Sequence, residues 1–166
     1  MATSFIDKRD APQRPMTTGP SDWLTALRGA LLASAVGHLS WEIVQLPLYT
    51  IWLEGTLSEI AFAILHCTGG DLLIATSTLV AALLVFGRGW PTDRIAYRNV
   101  MITAIVLGAG YTIFSEWLNV NVRGAWAYGP WMPRIPPLGT GLTPFLQWIV
   151  VPAAVFLFVR RRVVFR

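Results

Sequence analysis

Charge is what this sequence most lacks. Only 13% of its 166 residues are Asp, Glu, Lys or Arg, against about 25% in an ordinary soluble domain. With 54% apolar residues and a mean hydropathy of +0.54, too little polar surface remains to coat a globule in water. Cysteine is nearly absent. The single Cys67 excludes an internal disulfide framework and any multi-cysteine metal site. Missing too is a short apolar stretch directly behind the first charged residues. Residues 1–22, polar and proline-containing, therefore read as a disordered tail rather than a secretory signal. The net charge of +4 has the sign that suits nucleic acid. The basic residues gather at the ends of apolar segments, however, as they do in membrane proteins, and no nucleic-acid partner is expected.

Long apolar runs are what is there. A helix needs roughly 20 apolar residues to cross a bilayer, and four stretches qualify, at about 23–46, 58–86, 99–118 and 143–159. The expected fold class is all-α, a four-transmembrane-helix bundle in one domain (23–159). An outer loop spans 119–142 and a basic tail 160–166. Pro47 should end or kink the first helix, Gly69-Gly70 offers a bend in the second, and Pro152 is tolerable in the fourth if neighbouring helices compensate. Eleven of the thirteen basic residues lie before helix one, in its first turns, between helices two and three, or after helix four, leaving Arg123 and Arg134 on the other side. Both termini are then cytoplasmic. The membrane would be the cytoplasmic (inner) one in a bacterium and the endoplasmic reticulum in a eukaryote. The outer connection NVNVRGAWAYGPWMPRIPPLGTG holds Trp126, Tyr128 and Trp131 among prolines and glycines. It is either an interfacial aromatic belt or a lid over a site opening at that face.

Polar side chains fall inside these runs at related depths. At about 1.5 Å of rise per residue, Glu42 lies roughly 6 Å and His38 roughly 12 Å inside the outer boundary. His66 comes at about 12 Å, Asp71 at about 20 Å, Tyr111 and Thr112 at about 10 Å, and Gln147 and Trp148 at about 6–8 Å, with Glu116 just under the surface. His38, Glu42 and Gln45 are spaced i, i+4, i+7 and share one helix face, as do Thr112, Glu116 and Asn119. An ionisable residue at the centre of a membrane helix costs about 2.5–3.5 kcal/mol, so such groups face the bundle interior and pair. Plainer readings exist for each: Glu116 solvated at the interface, Asp71 bound to a freed backbone amide or an arginine, His66 a satisfied interior histidine, Trp148 and Tyr111 core or belt residues, Cys67 a packing residue. The His38–Glu42 pair is the hardest to reduce to packing, and a buried polar site follows.

A carboxyl group in apolar surroundings holds its proton more tightly than one in water. Next to a histidine it can protonate an alkene or take an allylic proton, and a facing aromatic ring stabilises the cation between. The ligand of such a site is lipophilic, a membrane lipid or an isoprenoid-like molecule. GHLSWE (Gly37–Glu42), YTIFSEW (Tyr111–Trp117) and FLQWIVVP (Phe145–Pro152) together resemble the emopamil-binding protein family. That family comprises the sterol Δ8–Δ7 isomerases and relatives built on the four-helix EXPERA core. In order they are similar to its His-x-x-x-Glu on the first core helix, its Tyr, Thr and Glu on the third, and its closing Trp-hydrophobic-Pro run. Phe145 stands where the family carries asparagine, with Gln147 the candidate substitute.

The resemblance implies an isomerase- or cyclase-like enzyme for sterol- or isoprenoid-type substrates. His38 and Glu42, with Glu116, would carry the proton chemistry and Trp148 would stabilise the cation. Tyr111, Thr112, Gln147, His66 and Asp71 are the candidate substrate-binding residues, and no metal or cofactor is expected. Two other classes compete. One is a non-catalytic lipid-binding or accessory subunit, with a second copy of the chain or a larger membrane complex as partner, in which the polar groups only pair with one another. The other is electron transfer, with His38 and His66 as axial ligands of a b-type haem.

Overall fold

A computed structural model describes residues 20–164. Five α-helices carry these described residues: α1 (Pro20–Gln45), a single turn α2 (Ile51–Glu54), α3 (Leu57–Phe86), α4 (Arg94–Glu116) and α5 (Leu142–Val164). A 3-10 turn (Leu46–Leu48) follows α1, and a π-helical extension (Trp117–Arg123) follows α4. Two short antiparallel strands, β1 (Arg134–Ile135) and β2 (Thr140–Gly141), precede α5. The expected tail at 1–22 falls mostly outside the described residues, but Pro20, Ser21 and Asp22 already belong to α1. The expected basic tail is corrected likewise. Arg160, Arg161 and Arg162 continue α5 rather than follow it.

The four long helices run alternately up and down. α1 packs on α3 and α5, and α4 packs on α3 and α5, which closes a four-helix ring. Local chemistry sets their limits. Thr56 and Glu59 form a reciprocal capping box at the start of α3. Asp93 accepts from the Ala96 amide at 2.7 Å to start α4. Pro47 cannot donate to a continuing helix, and α1 stops at Gln45. α3 passes Gly69-Gly70 as one uninterrupted helix, and α5 passes Pro152 likewise.

Among the described residues three helices are long and apolar enough to cross a membrane: Leu57–Phe86, Arg94–Arg123 and Leu142–Val163. Only 11% of the most apolar stretch of α3 is buried inside the bundle. Leu65, Leu73, Leu84, Val106 and Leu157 are among the large apolar residues facing outward. An apolar exterior of this extent fits acyl chains, not water. α1 is long enough but does not reach the same apolarity, because Arg28, His38, Glu42 and Gln45 interrupt it.

The inward stripe of each helix changes chemistry halfway along. On α4 the four-residue spacing reads Ala96, Val100, Ala104, Gly108, Thr112, Glu116, all buried. On α1, Ala26 and Ala30 give way to His38, Glu42 and Gln45. On α5, Gln147 and Trp148 precede Val151, Val155 and Val159. Since neighbouring helices are antiparallel, the apolar halves meet at one end of the bundle and the polar halves at the other. The apolar end forms the main core, closed by Trp23, Trp90 and Tyr97. Across it the Tyr97 hydroxyl donates to the Phe156 carbonyl, tying α4 to α5.

Candidate functional site

The polar network centres on Gln147. Its side-chain amide nitrogen lies 2.7 Å from Asp71 Oδ2, 3.1 Å from Glu42 Oε1 and 3.0 Å from His38 Nδ1. Gln45 adds a second amide, donating to Glu42 Oε1 at 2.7 Å and to the Gln147 carbonyl oxygen at 3.3 Å. Trp41 Nε1 in turn donates to Gln45 at 3.2 Å. His38 and Gln147 are only 1% and 2% exposed. An amide NH2 carries two hydrogens, yet three acceptors surround the nitrogen of Gln147. Two of the three can be served at a time, while Gln45 gives Glu42 a further donor. His38 Nδ1, 3.5 Å from Asp71 Oδ2, is placed to share a proton with that carboxyl.

The Trp148 ring closes the network on the α4 side, its centroid 5.0 Å from that of His38. Gly108 makes this approach feasible, because a Cβ there would run into the indole. From this closed end a cleft of about 750 Å³ extends toward the loops, within the range of small-molecule sites. Glu42, Asp71, Thr112, Glu116, Gln147 and Trp148 all contribute to its walls. Phe62, Leu73 and Tyr111 line it too and are exposed on the bundle exterior. The cleft thus opens sideways between α3 and α4, toward the lipid-facing surface.

The loop 119–142 is tied over the far end. Thr50 donates its amide to the Ala127 carbonyl at 3.1 Å and Gly129 to that of Leu48 at 2.8 Å. The rings of Tyr49 and Tyr128 lie 5.7 Å apart. The Tyr128 hydroxyl donates to Glu116 Oε2 and accepts from the Gly141 amide at 2.8 Å. Burial, then the neighbouring Glu116 carboxyl, push the pKa of that hydroxyl up, so Tyr128 stays a donor at every physiological pH. Within this loop Trp126 lines the cleft while Trp131 is 80% exposed. One tryptophan faces the cleft and the other faces outward. The wide π turn supports the loop, with Asn119 donating to the Ser115 carbonyl at 2.9 Å and Gly124 leaving it at φ +60°. Such π segments recur at functional sites.

Of the nine candidate residues, His38, Glu42, Asp71, Gln147 and Trp148 meet directly. Tyr111, Thr112, Glu116 and His66 line the same cleft without joining that network. Asp71 binds the Gln147 side chain rather than a freed backbone amide or an arginine. The depths inferred for Asp71 and Gln147 differ by more than two helical turns, yet the two side chains touch. The helix ends are staggered, and α3 begins farther out than the depth arithmetic assumes. Glu116 is not simply solvated, since Tyr128 holds it in a buried position. His66 is exposed and stacks on Phe62, centroids 5.4 Å apart. Of the two histidines, His66 lines the cleft and His38 is buried in the Gln147 network. Among the described residues no group of three or more His, Cys, Asp or Glu side chains is arranged to hold a metal ion.

Sequence reasoning missed Gln45 and Tyr128 as site residues. Gln45 has a signal, its place three residues after Glu42 on the same face. Tyr128 reaches Glu116 through an irregular loop, which no periodicity announces. Compared with known proteins, the chain matches no family model, and no curated protein or solved structure shows significant similarity to it.

Proposed function

We propose that this is a polytopic membrane protein with α1 as a fourth span and both termini cytoplasmic, and that it isomerises or cyclises a lipophilic, sterol- or isoprenoid-type substrate by intramembrane proton transfer. The placement of Lys and Arg supports the orientation, and the resemblance to the emopamil-binding protein family supports the reaction class. The observation that carries the reading is the three-acceptor cluster on the Gln147 amide at the closed end of a cleft that opens to lipid. A substrate double bond enters from the bilayer between α3 and α4. A carboxyl of the Glu42–Asp71 pair gives its proton to one alkene carbon. The cation that forms is held against the faces of Trp148 and Tyr111. Loss of a proton from the neighbouring allylic carbon to the cluster completes a double-bond shift, while attack by a second double bond before that loss gives a ring. One proton enters and one leaves, and no cofactor is needed.

A second reading draws on the same network. Gln45 and Gln147 satisfy Glu42 within the protein, as they would in a non-catalytic lipid-binding or accessory subunit. Growth of a gene-deleted strain in deuterated water separates the two. Restored wild type is expected to return a missing neutral lipid carrying carbon-bound deuterium, and Glu42→Gln is expected not to. Identical neutral-lipid profiles in all three strains would overturn the enzymatic reading.

A further inference from the structure

A second cavity, of about 330 Å³, lies at the opposite end of the bundle between α4 and α5. Arg94 and Arg98, one helical turn apart, border it from α4 and Arg160 borders it from α5. Met101 and Leu157 form part of its apolar wall. Among the described residues none of these three arginines makes an ion pair. Only Arg160 has a placed partner, the face of Tyr97 5.8 Å away. The floor is firm, because the Tyr97 hydroxyl bonds the Phe156 carbonyl directly beneath the groove and joins its two walls. Ile95 and Leu157 are exposed on the rim, so the apolar side of the groove continues into the lipid-facing surface.

Three guanidinium groups with no ion pair among the described residues, above an apolar channel, match a molecule that is anionic at one end and hydrocarbon at the other. Guanidinium groups bind phosphate through paired, directed hydrogen bonds that an ammonium cannot reproduce. Basic pockets between membrane helices near the bilayer surface recognise anionic lipid headgroups on this basis. We propose that the groove bounded by Arg94, Arg98 and Arg160 is a binding site for one anionic phospholipid of the surrounding leaflet. Its phosphate sits among the three arginines and one acyl chain lies along Met101 and Leu157. The site is separate from the cleft at Gln147 and does not depend on the reaction assigned there.

The test is native mass spectrometry of the full-length protein in detergent, titrated with dioleoyl phosphatidylglycerol and, separately, with dioleoyl phosphatidylcholine. Wild type is expected to retain one phosphatidylglycerol in preference to phosphatidylcholine. Each arginine near an anionic headgroup contributes about fivefold in affinity, so Arg94→Gln with Arg98→Gln should weaken that binding about 25-fold. Arg161→Gln with Arg162→Gln removes the same charge from the exposed side of α5 and should leave it within twofold. Arg94→Lys with Arg98→Lys keeps the charge but loses the fork, and should fall between. Excess inorganic phosphate should not displace the lipid. Equal weakening by both Gln pairs, no preference for phosphatidylglycerol, or displacement by phosphate alone would each overturn the proposal. Unchanged melting temperatures of the variants confirm that a lost lipid is not lost folding.

Discussion

The two halves of this bundle are built from the same four helices and solve different problems. At the basic end, Ala26, Leu79, Ala82, Val100 and Val155 belong to one buried apolar cluster that holds the four helices by packing. At the capped end the same helix faces carry Glu42, Asp71, Thr112 and Glu116 around a cleft of about 750 Å³, with His38 buried behind them. Lipid tails are as apolar as leucine, so association inside a membrane rests on close packing and on hydrogen bonds between helices. The packed half supplies rigidity, which leaves the other half able to stay open and polar. Gly108 and Gly37 mark the level of the change. Gly108 admits the Trp148 ring against α4, and Gly37 admits Val151 against α1.

This contrast can be broken from either side. Leu79→Ala opens a void in the packed half and should cost about 2–3 kcal/mol. That is the lower part of the range for a core leucine, since the alternative surroundings are themselves apolar. Denaturation in mixed micelles reads that loss, and the neutral-lipid product proposed for the cleft should persist while the fold does. Gln147→Leu keeps the volume but strips the shared donor from two carboxyls and an imidazole. Each buried group left unpaired costs about 1–3 kcal/mol, partly recovered by rearrangement around Gln45, so a net loss of about 2 kcal/mol is expected, with the product abolished.

Tyr128→Phe removes one hydrogen bond to Glu116 and one from Gly141. The expected effect is about 1 kcal/mol, with earlier proteolysis of the loop 119–142. It has a pH signature as well. The folded pKa of Tyr128 is raised above an ordinary tyrosine value of about 10. The unfolded chain therefore loses this proton first as pH rises, so the contribution of Tyr128 to stability is constant below about pH 10 and falls above it. Tyr128→Phe should make that fall shallower. Gly70→Leu is the smallest in stability and the sharpest in function. A Cβ at Gly70 meets nothing within 4 Å, and Gly70 is one of the residues that line the cleft. Melting should hardly change, while access to the Gln147 cluster is blocked.

Much of this was legible in the sequence because helix periodicity is local. The i, i+4, i+7 spacing of His38, Glu42 and Gln45 places all three on the buried face of α1, and Thr112 and Glu116 share the buried face of α4. What stayed hidden depends on how helices are offset along their axes. Nothing near Asp71 in sequence indicates that it meets Gln147, 76 residues away, because the stagger of α3 is fixed by the loops and the α2 turn. The role of Tyr128 was hidden for the same reason, since a proline-rich loop has no period from which to read direction. Composition also sets α1 apart from the other long helices. The residues that build the site are those that lower its apolarity below that of the three clear spans.

The central claim is that the capped half holds a lipophile against the Gln147 cluster while the packed half only supports it. The direct measurement is to purify wild type and Gly70→Leu from the same membranes, extract what remains bound, and quantify it per chain by mass spectrometry. The account predicts one neutral lipophile enriched in wild type and largely lost from Gly70→Leu, with equal melting temperatures. The same bound neutral lipids in both proteins would contradict it.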